Sequence, residues 1–161
     1  MQFMKDLIGK HHYYQLAPVC LRLITGYGFM VHGWAKISRG TAGFEKLLTQ
    51  VGVPFPHINA TIVPYIELLG GLAIILGAFV TITAIPLIIT MLVAMFAIHI
   101  KYGFSAVNTV GLTAEGPLFG PPGYEINLLY IAGLISLIFT GPGAFSIDSL
   151  IDRLRKQPGT S

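Results

Sequence analysis

With 161 residues, 11% of them charged, and a mean hydropathy of +0.71, the chain lacks the polar surface of an ordinary soluble domain. A net charge of +3, scattered over segment ends without a run or stripe, excludes the basic face that nucleic-acid binding requires. Cys20 is the sole cysteine, which excludes an intramolecular disulfide and C-x-x-C dithiol chemistry.

Four apolar spans are expected, at residues 16–34, 62–80, 82–100 and 124–140, each able to cross about 30 Å of hydrocarbon as a helix. None alternates with the period of two that a barrel strand needs, so the fold class is all-α: a four-helix transmembrane bundle with short interfacial helices. Residues 1–15 read as an N-terminal segment, 16–145 as the four-span membrane domain, and 146–161 as a C-terminal amphipathic surface helix and tail. The basic N-terminal segment leads into a span too long for a signal peptide, so the first span is expected to be retained.

Span one carries Gly26, Gly28 and Gly33, small residues that let another helix approach closely, with Cys20 as an apolar filler. Residues 43–51 have apolar side chains at helical spacing and read as an interfacial helix stopped by Gly52, Pro54 and Pro56. In span two, Glu67 shares a helical face with Gly70 and Gly71, which forces the carboxylate inward. Gly77, Thr81 and Thr83 mark a tight turn, and Pro86 falls in or just beyond the first turn of span three. Met91, Met95 and His99 form one stripe, in which the two methionines read as core packing.

The connection 101–123 is rich in glycine and proline and is expected to be a loop without its own helix, either a lid or a plain connector. Glu125 opens span four, where a carboxylate suits the positive end of a helix. Ser146 reads as an N-cap for an amphipathic helix at 147–156, with Asp148 in its first turn. Arg22 lies about 15 Å along its helix from His32 and is expected to snorkel or pair at the terminal side.

Threaded up and down, these spans bring His32, Lys36, Glu67, His99 and Glu125 to within about 8–10 Å of one depth. Ionisable groups cost roughly 2.5–3.5 kcal/mol each at a bilayer centre, so such a layer is a functional hypothesis by default. The positive residues favour termini in the cytoplasm: Lys5, Lys10, Arg153, Arg155 and Lys156 share that side, against Lys36, Arg39, Lys46 and Lys101 on the other.

HGWAKI (32–37), VGVPFP (51–56), ELLGG (67–71), His99, Glu125 with its apolar run, and TGPGAFSID (140–148) occur in an order and spacing that resembles the DoxX family of small bacterial membrane proteins. The likeness runs from Leu16 to Asp148. It implies a four-helix integral protein of the bacterial inner membrane. Related proteins look like the membrane subunit of thiosulfate–quinone oxidoreductases, and others are linked to methylamine utilisation or oxidative-stress defence.

On these grounds the expected function is a quinone-interacting membrane component of a redox system. His32 and His99 would donate to quinone carbonyls, Glu67 and Glu125 would carry protons, and Lys36 would balance charge. Trp34 and Tyr65 are expected to join His32, Glu67 and His99 in holding the cofactor. The expected partners are the bilayer, a peripheral or soluble redox enzyme, and further copies if it oligomerises. No flavin or nucleotide fingerprint is present, so the chain is not expected to transfer electrons alone.

No metal is assigned, because there is no H-x-x-x-H or E-x-x-H pair and each candidate ligand comes from a different helix. Three other readings stand beside the redox one. The layer could bind a small solute or lipid for transport, although internal inverted repeats are lacking. The chain could be a non-catalytic anchor for a partner protein. His32–Glu67 and Lys36–Glu125 pairs could simply pin helix register.

Overall fold

The computed structural model describes residues 14–156, so expectations for the N-terminal lysines and the tail beyond Lys156 lie outside it. The described residues form six α-helices and one hairpin. Helix α1 (Ala17–Ser38) opens with Pro18, whose missing N–H costs nothing in a first turn, and ends with Lys36 near the negative pole. Helix α2 (Ala42–Gln50) is the short segment expected at 43–51, ending before Gly52 at φ 76°.

Helix α3 (Pro56–Leu76) starts six residues before the apolar span does. Its first turns carry His57 and Asn59, polar residues that a hydropathy reading cuts away. Gly77, at φ 64°, closes it in the left-handed conformation. Helix α4 (Val80–Ala94) follows, so Thr81 and Thr83 belong to its first turn rather than to the connection. Pro86 consequently sits deep inside the helix. The helix then widens into a π-turn at Met95–His99 and tightens into a 3-10 turn at Ile100–Tyr102.

The long connection is not plain loop. Strands β1 (Thr109–Thr113) and β2 (Gly116–Phe119) pair antiparallel, with an irregularity between Thr109 and Gly111. Glycine and proline density masks two short strands that, among the described residues, pair only with each other. Helices α5 (Glu125–Thr140) and α6 (Ile147–Lys156) complete the described chain.

Helices α1 and α3 run antiparallel with their backbones in contact. A Cβ built on Gly26 would lie 2.6 Å from Gly71 O, and one on Gly33 would lie 2.5 Å from Pro64 O. Phe29, Ile74, Val80, Ala84, Leu87, Leu134 and Leu137 form the buried core. They occupy the half of the molecule near the start of α1 and the end of α5. The packed half is therefore opposite the predicted polar layer.

Two helical stretches, Pro56–Leu76 and Val80–Tyr102, are long and apolar enough to cross a membrane, with mean hydropathies of 1.7 and 2.4. Helix α5 is apolar but has 16 residues, and α1 has 22 residues interrupted by Arg22 and Lys36. Large apolar side chains point outward at helical spacing, as in Leu69, Leu72 and Leu76 of α3 and Ile82, Ile85 and Ile89 of α4. Patches of that extent are far larger than a soluble monomer exposes. Cys20 also faces outward and fills no core.

The terminal end is tied by polar groups, of which Arg22 pairs and Ser146 caps as expected, while Asp148 acts elsewhere. Arg22 is buried and does not snorkel: its Nη2 donates to Ala144 O at 2.9 Å and to Phe145 O at 3.4 Å. Gly77 leaves room for this guanidinium, since a Cβ there would stand 1.7 Å from Nη1. Ser146 does cap α6, its Oγ accepting from Ser149 N at 3.2 Å. Asp148 caps a different helix. Its carboxylate accepts from Phe79 N at 2.7 Å and Val80 N at 3.1 Å, the opening amides of α4.

That cap also holds Phe79 at φ 48°, a conformation that a bulky residue rarely adopts. Asp148→Ala is expected to destabilise the protein by about 1–2 kcal/mol, the usual cost of a lost N-cap. Asp148→Asn, which keeps one acceptor, should lose less. Thermal melts of both variants in detergent check the order.

Candidate functional site

The half of the bundle opposite the core is hollow. A cavity of about 1070 Å³ lies between α1, α2, α3, the second half of α4 and the first turns of α5. Val63, Ile66, Ile89 and Met91 give it apolar walls, while its lining also holds the ionisable side chains His32, Lys36, Glu67, His99 and Tyr130. Four of the five residues expected in one layer thus border one space.

The pairing differs from both pairs that a register-pinning reading anticipates. Lys36 Nζ donates to Glu67 Oε2, leaving His32 and Glu125 out of the ion pair. Glu67 is 1% exposed, so the cation neutralises a carboxylate that bulk water does not reach. Lys36 also lies 4.9 Å from the centre of the Phe44 ring on α2, a cation–π contact that draws the short helix over the cavity. At the outer edge His57 Nδ1 and Glu45 Oε2 are 3.1 Å apart, linking α2 to the start of α3.

His99 borders the cavity from the π-turn of α4. Its Nδ1 lies 3.0 Å from Pro122 O, just ahead of α5. His32 is exposed on the protein surface next to the opening and has no hydrogen-bond partner among the described residues.

Glu125 is engaged elsewhere. Its Oε2 accepts from Ala106 N at 2.8 Å while its own N–H donates to Phe104 O at 2.9 Å. Gly123 N and Tyr124 N bond Ser105 O and Gly103 O beside it, so the carboxylate clasps the base of the hairpin loop. It does not line the cavity. Trp34 and Tyr65 also stand outside, 60% and 50% exposed on outward faces.

Two residues that sequence reasoning passes over take their place. Asn127 on α5 is buried at the cavity wall, its Nδ2 3.4 Å from Met91 O and 3.7 Å from Met91 Sδ. Tyr130, one turn further, also borders the space and packs edge-on against Phe29 with ring centres 5.1 Å apart. An amide inside an apolar span is costly unless it finds a hydrogen-bond partner, and that is the signal available for Asn127. Among the described residues no three His, Cys, Asp or Glu side chains gather into a metal-binding set.

Chemically, the site is a greasy chamber with a neutralised ion pair and imidazole near its polar end. It can donate and accept hydrogen bonds without demanding a net charge on its ligand.

The family model described as DoxX matches residues 17–100, the stretch that contributes Lys36, Glu67 and His99. The inner membrane protein YqjF of Escherichia coli is 30% identical over 82% of this chain and 89% of its own length. The membrane protein Rv3486 of Mycobacterium tuberculosis is 27% identical, covering 84% and 81% respectively. A Bacillus subtilis protein named "Putative oxidoreductase CatD" is 24% identical over 92% of this chain and 96% of itself. No solved structure matches the chain.

Proposed function

The chain belongs to the DoxX family of membrane proteins, and from that premise we propose that it is an integral membrane component of a redox system that binds quinone in the α1–α5 cavity. In this reading α1, α3, α4 and α5 each cross the bilayer as a four-helix bundle. The termini lie in the cytoplasm and the cavity opens toward the other side. Helix α5 would span about 24 Å, short enough that the bilayer must thin locally around it.

One observation carries the reading: a buried carboxylate, neutralised by Lys36, at the polar end of an otherwise apolar chamber. A quinone is an uncharged ring bearing two acceptor oxygens and an apolar tail. Lys36 uses one N–H on Glu67 and keeps others for a carbonyl oxygen. The chamber is at the upper end of the roughly 300–1,000 Å³ that small-molecule sites occupy. The oxidoreductase name of the Bacillus relative favours the redox side of the proposal. Electrons would come from a peripheral or soluble partner, because the chain carries no flavin or nucleotide fingerprint.

Titrating the purified protein in lipid nanodiscs with a short-chain quinone tests this directly. Saturable thermal stabilisation is expected, with Glu67→Gln weakening binding about tenfold, the equivalent of one buried hydrogen bond to a charged group. Wild-type protein that ignores quinone but is stabilised by added phospholipid would favour the lipid-binding alternative instead.

A further inference from the structure

The polar groups that border the cavity include acceptors whose hydrogen-bonding sense is fixed by their other contacts. On the α4–α5 side His99 is held by its Nδ1, 3.0 Å from Pro122 O. A carbonyl oxygen can only accept, so Nδ1 carries the hydrogen and donates it. In the neutral ring Nε2 is then a bare lone pair. Nε2 has no partner among the described residues, and the ring borders the cavity.

Asn127 follows the same logic. Its Nδ2 is directed at Met91 O and Met91 Sδ, both acceptors, which fixes the amide with Oδ1 left over. Oδ1 has no partner among the described residues. This side chain is 5% exposed and borders the same space. The π-turn at Met95–His99 is the local irregularity that sets where His99 falls on this wall, and such turns recur at functional sites. On the α4–α5 wall His99 and Asn127 thus offer two acceptors, while the Tyr130 hydroxyl, which can donate or accept, lies against Gly28 of α1. The α1–α3 wall offers Lys36, a donor only, beside its partner Glu67, an acceptor only, with His32 at the surface.

We infer that the cavity favours the reduced, hydroxyl-bearing form of its ring ligand, with His99 Nε2 accepting from one ligand O–H, Asn127 Oδ1 accepting from the other, and Lys36 Nζ donating to a ligand oxygen. The inference rests on the quinone reading and adds to it a preference between the two forms. It also reverses the expectation that His99 donates. A fully oxidised quinone has no hydrogen to give either acceptor, so binding it leaves both unpaired, at greatest cost for the buried Asn127. His99 acts here as a positioning group whose tautomer is set by the loop carbonyl of Pro122.

Two measurements decide the matter. Nitrogen-15 NMR of histidine-labelled protein in nanodiscs, with His99→Gln to assign the signal, is expected to show Nδ1 protonated and Nε2 bare. Anaerobic titrations with a short-chain benzoquinol and its benzoquinone should show the quinol binding about tenfold more tightly. Asn127→Leu should erase most of that ratio while quinone affinity moves little. Nε2 found protonated in the resting protein overturns the inference, whatever the variants do. Equal affinity of wild type for the two forms overturns it while leaving the quinone reading intact. Binding of neither form by wild type overturns both.

Discussion

Gly71→Leu is expected to cost about 3 kcal/mol of stability, the upper end of what overpacking a close contact usually does. A Cβ at residue 71 would stand 2.5 Å from Gly26 O and 2.8 Å from Met30 N. Both are backbone atoms, which cannot rotate away as a side chain could. The only relief is for α1 and α3 to part along their length. In hydrocarbon, helices gain little by hiding apolar surface from one another, so close backbone packing is what holds such a pair together. Parting them also draws Lys36 away from Glu67, because each helix carries one partner.

Gly43 supplies the control. It lies in α2, and a Cβ added there would meet nothing within 4 Å, so Gly43→Leu should leave the melting temperature close to wild type. Scanning fluorimetry in detergent separates the two variants. Wild-type melting by the Gly71→Leu protein would show that the α1–α3 seam is looser than its glycines indicate.

Much of this arrangement can be read from residues alone, and the misreadings share one cause. Rise per residue places a side chain in depth, which is why His32, Lys36, Glu67 and His99 are legible as one level. Depth says nothing of which way a side chain faces around the helix. Residues two apart on an α-helix point about 200° from each other. Trp34 therefore cannot share a face with His32, nor Tyr65 with Glu67, and both rings face outward as that geometry demands. Glu125 and Asn127 stand in the same relation. Only one could look inward, and the structure turns Asn127 to the cavity and gives Glu125 to the loop.

The terminal end is legible as a motif but not as a network. TGPGAFSID resembles a helix start, and Ser146 behaves as one. Capping is usually local, so spacing alone points Asp148 to its own helix. Here the chain reversal at Gly77 brings the bare amides of α4 against it instead. From sequence Arg22 could snorkel or pair at the terminal side; it pairs, but its carbonyl partners, Ala144 and Phe145, lie more than a hundred residues away. Nothing in local spacing could reveal them.

Lys36→Met should be the most damaging single change at the cavity. It strands a carboxylate that is 1% exposed, and removing one partner of a buried pair costs about 3–5 kcal/mol. Lys36→Met combined with Glu67→Leu is expected to regain that loss, since replacing a whole buried pair by apolar groups is often neutral or stabilising. The double variant discriminates between a register pin and a binding site. A pair that serves only to hold α1 against α3 leaves the double variant both stable and able to bind quinone. A pair that meets the ligand leaves it stable and unable to bind, with affinity down at least about tenfold, and that outcome is the one expected. Melting curves and quinone titrations on wild type and both variants give both answers. A double variant as unstable as Lys36→Met alone would mean that the cost lies in Lys36's contact with Phe44, and the ion pair would lose its place in the account.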